Sequence, residues 1–413
     1  MGGFPVKIVD SGGLPVVASF DGGPAVTQSD NGIPVTVVES GGVPLSFVND
    51  DLSEDLNLGA LARVQAAAPD FVAWWTSADP TSMLLASDGV GGFVSASGQT
   101  VGGWLNVKDC GSKTFAQYLA AQPELWAHDL VTATGESEII GDNVYRIYSS
   151  AGANSFVGIT AALTVGSWYD VTFTIDSISA AGSGIRIQDG GPVYSTVGQH
   201  HGIFKASNTV MFIKRNLVAC DYQISGVSVK ALPDHHLFGS GAGKPQYLLS
   251  GGIGSVNADG VDDHLSTGAL ASALPSDCAV YARVKTTDDR GYIFSGAATD
   301  SNEYFFCFQD GLTSPVYGNV GSPTLYVDDT EFTGHRGDYY DAISDGAQHS
   351  LVARSIDLSG LAALTLAAYL PSPTVNYVSG AIGDILIVPE ALLTAQPTLH
   401  ADIMAMMAAR SPS

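Results

Sequence analysis

Between Leu125 and Val388 the chain is written almost entirely as short alternating segments separated by turn residues. This pattern limits the fold more narrowly than any other feature. In WYDVTFTID, Val171, Phe173 and Ile175 alternate with Thr172 and Thr174, the period of a strand with one wet and one buried face. NVYRIYSS, SFVGITAAL, GIRIQD, TVMFIKR and YQISGVSVKAL lie roughly 8 to 15 residues apart with no helix between them. That spacing predicts an all-β sandwich over residues 124–232. A linker, 233–244, precedes YLLS, SVNADG, HLSTG, AVYARVK, GYIFSG, EYFFCFQ, HSLVARSI, LTLAAYL and GDILIVP, which predict a second sandwich over 245–390. The fold class expected is therefore mainly β, with small helical additions.

The remaining segments read differently. Pro5, Pro15, Pro24, Pro34 and Pro44 each lie one or two positions after a glycine and open a short, mostly β-branched stretch. Proline is tolerated at the first position of a strand. Strands this short make no core alone, so residues 1–51 are expected to be a β-repeat segment for docking or assembly. Residues 52–123 read as a helix- and Trp-containing connector, with helix signals at Leu58–Ala67 and Thr114–Ala121 closed by Pro69 and Pro123. Residues 391–413 are expected to form one amphipathic helix with Leu393, Leu399, Ile403, Met406 and Met407 as its stripe.

Charge narrows the function classes. With 17 basic and 41 acidic residues the net charge is 17 − 41 = −24. That excludes phosphate-led nucleic-acid binding and adhesion to an anionic membrane. The apolar runs, such as that around Leu361–Leu370, fall short of the ~20 residues of a membrane span. Met1-Gly-Gly-Phe-Pro has no basic region followed by an apolar one, so synthesis in a cytoplasm is expected. Cys110, Cys220, Cys278 and Cys307 contain no C-x-x-C pair. They read as free buried thiols, with disulfide pairing the alternative.

Four segments in this order resemble known proteins. The Gly-x-Pro-Val repeats resemble the N-termini of tailed-bacteriophage and gene-transfer-agent structural proteins. AWWTSADPTSM…GQTVGGWLNVKD is similar to a W-x-DPSD-x-x-x-M…GQPVG segment of the same proteins; Trp75, Asp79, Pro80, Met83, Gln99, Val101 and Gly102 match, while Ser77 and Ala78 depart. Gly166–Thr174 and Ile224–Leu232 resemble carbohydrate-binding-type jelly rolls, a resemblance that identifies the 124–232 sandwich as jelly-roll-like. KPQYLLSGGIGSVNADGVDDHLSTG resembles the opening of a concanavalin-type lectin or glucanase sandwich. The resemblance implies a virion protein, a tail fibre or spike, with a head-decorating fibre or a secreted bacterial lectin as alternatives. It further implies a homotrimer, contact with other virion proteins through residues 1–51, and a host cell-surface glycan as receptor.

Catalysis is not expected. A glucanase on this fold needs two carboxylates in one cleft, and none of the eight glutamates stands in E-x-D-x-x-E spacing. No cofactor is called for. Asp259, Asp262 and Asp263 in DGVDDH read first as a turn and second as the start of a calcium site, since calcium takes six to eight oxygens. The pairs His200-His201 and His235-His236 are expected in loops. Glycan recognition needs exposed rings rimmed by polar groups. Candidates are Tyr194, His200 and His201 in the first sandwich and Tyr317 in the second. The first choice is the second sandwich's set of Tyr326, His335, Arg336, Asp338, Tyr339 and Tyr340, most of it in a polar loop expected at 330–344.

Overall fold

The computed structural model describes residues 52–410 except 151–153, 161, 181, 183, 189–190, 240–243, 251, 268–269, 271–272, 297–302 and 369–377. The expected docking segment, 1–51, lies outside the described residues. The chain is mainly β, arranged as four antiparallel sheets. Two five-stranded sheets enclose one core and an eight- and a seven-stranded sheet enclose another.

In the larger sandwich, Cys278–Thr286 and Ser379–Pro389 run side by side at the centre of the eight-stranded sheet. Their sequences, CAVYARV and DILIVP, are apolar without alternation because both faces are covered. Val280, Ala282, Ile385 and Ile387 pack between the sheets. Ala279, Tyr281, Leu386 and Val388 face the other way, against helices. Those helices are α1 (Leu52–Ala67), α4 (Glu390–Ala395) and α5 (Leu399–Ala409); α2 (Phe115–Ala121) and α3 (Arg336–Ile343) lie elsewhere on the sandwich. Arg63 of α1 grips Asp402 of α5 through two bonds of 2.9 and 2.7 Å, joining the two ends of the described chain.

Several expectations are corrected. The stretch 52–123 is not a mere connector: Ala73–Trp75 pairs with Ser379–Pro389 in one sheet, and Met83–Leu84 and Gly103–Trp104 belong to the other. The single terminal helix is two, because Pro397 lacks an amide proton and breaks the ladder between α4 and α5. All five residues of its expected stripe are nonetheless buried. The expected loop at 330–344 is a strand, Thr330–Phe332, followed by α3. His200 and His201 lie in the strand Gly198–Lys205 rather than in a loop.

The smaller sandwich is an insertion into the larger one. The chain leaves after Gly103–Trp104 and returns at Leu237–Gly239, and these two strands pair directly, Leu237 opposite Trp104. Entry and exit are therefore adjacent, and the jelly roll is held by a double tether. Asn106 clasps it, its Nδ2 donating to the Asp234 carbonyl at 2.9 Å. The bodies also touch beyond the tether. Lys230 Nζ donates to the carbonyls of Leu119 and Ala120, and Trp168 packs on Phe238 with ring centroids 4.6 Å apart. Gly89, at φ +78°, meets the jelly roll so closely that an added Cβ would lie 2.7 Å from Ile203 N. Among the described residues no helix is long and apolar enough to cross a membrane.

Candidate functional site

The six residues expected to bind glycan do not form one site. Tyr339 is fully buried between the sheets, its ring 5.0 Å from that of Phe332, and burial holds its hydroxyl well above the usual tyrosine range. Tyr340 is half-buried against the same core. Tyr326 lies on the opposite face of the sheet, beside His400 of α5, while its neighbour Leu325 faces the core. His335 and Asp338 are exposed, and Asp338 accepts from the His335 amide at 2.8 Å to start α3. Arg336 turns inward over Tyr304 and Tyr292. A helix sends residues four apart to the same side, so Tyr339 and Ile343 must both go inward. Tyr317, also a candidate, is half-buried against the same core.

In the first sandwich, Tyr194 is core, its hydroxyl donating to the His201 carbonyl. The His200 ring packs on Phe173 and Tyr194. His201 sits at the junction of the two bodies: Nδ1 is 2.8 Å from the Gly89 carbonyl, Nε2 meets Asp170 Oδ1, and Phe93 covers the ring at 5.0 Å. Burial opposes its charge, but the Asp170 carboxylate outweighs burial and raises its pKa.

The three aspartates do come together, with one carboxylate oxygen of each within 4.8 Å of the others. Asp259 Oδ1 accepts from the amides of Val261 and Asp262, and Asp263 Oδ2 accepts from the Asp259 amide. Two of the three carboxylates thus cap the turn that the sequence spells. Burial, and then the neighbouring acids, push Asp263 up to about 6. The set offers three of the six to eight oxygens that calcium takes.

A different group of residues forms an aromatic surface. Across the outer face of the sheet containing Thr132–Thr134, Phe156–Ile159, Met211–Arg215 and Ile185–Ile187, two ladders run side by side. One is Thr132, Gly158 and Phe212; the next is Thr134, Phe156, Lys214 and Arg186. Directly opposed residues in antiparallel strands share a face. Their neighbours Val157, Ile159, Met211, Ile213, Ile185 and Ile187 fill the core, which sends this set outward. The rings of Phe156 and Phe212 lie 5.4 Å apart at 44°. Lys214 Nζ stands 5.3 Å from the Phe212 ring centre. Gly158 leaves the room that brings Phe212 down onto the sheet: an added Cβ would fall 2.5 Å from the Met211 carbonyl. Thr132 and Thr134 are exposed at the rim, Phe156, Lys214 and Arg186 are half-buried, and Phe212 is 9% exposed beneath Phe156 and Lys214. The sequence carried a signal for this face, in that SFVGI and VMFIKR put phenylalanine at outward positions of alternating strands.

No family model matches the chain, and no curated protein does. Among solved structures, the N-terminal CBM22-1-CBM22-2 tandem domain of Xyn10C from Paenibacillus barcinonensis is 10% identical, with 65% of this chain and 98% of that chain covered, at a TM-score of 0.26. The tandem CBM51 modules of Sp3GH98, the family 98 glycoside hydrolase from Streptococcus pneumoniae SP3-BS71, are 8% identical, with 60% and 84% covered, at a TM-score of 0.16. These scores are too low to carry over a site or an activity.

Proposed function

We propose that the chain is a non-catalytic virion protein of tail-fibre or spike type whose inserted jelly roll binds host glycan on its outer aromatic face. The observation that supports this most is the half-buried Phe156 ring, packed on the nearly covered Phe212 on a ladder turned away from the core. Sugars offer an apolar C–H face and a rim of hydroxyls. Aromatic rings match the first, and the hydroxyls of Thr132 and Thr134 with the cations of Lys214 and Arg186 match the second.

The virion assignment rests on the sequence resemblance, from the Gly-x-Pro-Val repeats to the concanavalin-type opening. The short β-branched stretches that the sequence spells in residues 1–51 would need partners to pair as strands, which fits a homotrimer docked onto other virion proteins. Three weak sites on one particle act together through effective concentration. The non-catalytic reading is supported by where the glutamates are engaged. Glu124 accepts from Ser228 and Val229, Glu136 from Ser150, and Glu390 from Arg354. The test is Phe156→Ala in the full chain. Host-cell binding falls while oligomer size and melting temperature stay unchanged; undiminished binding refutes the proposal.

A further inference from the structure

Arg336 is a buried cation with no acid partner among the described residues. The residue is 8% exposed. Its guanidinium carbon lies 4.6 Å from the Tyr304 ring centre and 5.6 Å from that of Tyr292, and these two rings meet edge to face at 5.3 Å. Nε donates to the Pro315 carbonyl at 2.7 Å and Nη1 to the Tyr292 hydroxyl at 3.4 Å. No carboxylate of the described residues stands within ion-pair distance, in a chain of net charge −24. The other inward arginines of the larger sandwich are matched: Arg283 and Arg410 by Asp384, and Arg354 by Glu390.

Burying a charge without a partner is costly, and proteins pair such groups or supply a ligand. A guanidinium has five N–H donors in a fixed fork. Two are used here, which leaves three. Nη2 makes no hydrogen bond to the described residues and is not fully enclosed. The geometry is a planar cation, gripped through Nε and Nη1 and walled by tyrosine rings, with three N–H donors unused by the described residues. Two parallel N–H groups in that arrangement match the paired oxygens of an oxyanion.

We infer that Arg336 anchors an oxyanion site on the larger sandwich that takes the carboxylate of an acidic saccharide. The site is separate from the jelly-roll face and stands or falls apart from it. Tyr304, half-buried, offers its hydroxyl and ring edge to the sugar carrying the charge.

The test is thermal unfolding and calorimetry of the full chain with sodium glucuronate, glucose, sodium sulfate and sodium chloride at matched ionic strength. Glucuronate raises the melting temperature saturably, while glucose and chloride do not. Arg336→Met weakens glucuronate binding by about tenfold or more, the loss of charge-assisted bonds. Without ligand, Arg336→Met melts at or above the wild type, because it removes an uncompensated buried charge. A response to sulfate alone, a glucuronate response that survives Arg336→Met, or a ligand-free variant that melts lower would each overturn the inference. The last result would mark Arg336 as a packing residue held by its tyrosines. Loss of the Phe156 face leaves the glucuronate response intact, which keeps the two sites distinguishable.

Discussion

The Asn106 amide donates to His236 Nδ1 at 3.0 Å, across the point where the chain leaves for the jelly roll and where it returns. The bond fixes the His236 tautomer, with the proton on Nε2, in a site where burial pulls the imidazole pKa down to about 3. Around it the Asn106 side chain accepts from the amides of Trp74 and Lys108 and donates to the Asp234 carbonyl. One buried side chain therefore ties a sheet strand of the larger sandwich to both crossings of the insertion.

Asn106→Ala removes three hydrogen bonds from an enclosed site and leaves polar groups unpaired. The expected cost is roughly 2–4 kcal/mol, read as a shift in urea midpoint. A change within error would mean that the clasp is incidental to the double tether.

The contact between the two bodies should depend on pH. His201 faces two acceptors, the Gly89 carbonyl and the Asp170 carboxylate, so a neutral ring meets only one of them as donor. Its folded-state pKa is raised above the ordinary 6.5. The stabilisation is therefore full below that value and is lost as pH rises through the folded pKa. His349, between Asp328 and Asp345, shifts in the same sense, so the informative quantity is a difference between proteins. Below pH 6.5 the wild type melts about 2–4 °C above His201→Gln, and the gap narrows as pH rises. A gap that widened with pH would contradict the assignment.

Asp384 is fully enclosed and holds Arg410 Nη1 at 2.5 Å, with Arg283 Nε 3.5 Å from its other oxygen. Burial opposes its charge, and the two guanidiniums outweigh it and keep the carboxyl below the usual range. Asp384→Asn strands two cations in the interior. The expected loss is about 3–5 kcal/mol, measured by chemical denaturation.

Gly158→Ala tests the support of the aromatic face. The new methyl would fall 2.5 Å from the Met211 carbonyl and 2.9 Å from Phe212 Cβ, so the backbone must move. A stability loss of roughly 1–3 kcal/mol should accompany weaker glycan binding. A variant equal to the wild type in both would show that Phe212 needs no such seat.

The strands were legible where one face is wet. Val171, Phe173 and Ile175 declared their sheet through the threonines between them. The insertion was not legible. Met83–Leu84 and Gly103–Trp104 are two-residue strands, and the latter's partner, Leu237–Gly239, lies beyond an entire domain, so no local pattern links them. The glycan set failed for a related reason. Tyrosines among Asp, Gly, His and Arg look like a loop tip, but α3 turns Tyr339 into the core and Arg336 onto Tyr304. Phe156 and Phe212, by contrast, look like core residues until the register is known. Alternation says which side of a strand a residue occupies; it does not say whether that side is covered.

The most direct test of the account is hydroxyl-radical footprinting of the full chain with and without host polysaccharide. Phe156, the accessible ring of the pair, is expected to become protected when polysaccharide binds. Protection confined to other surfaces, with Phe156 as reactive as in the free protein, would contradict the claim that the outer face of the inserted jelly roll receives the glycan.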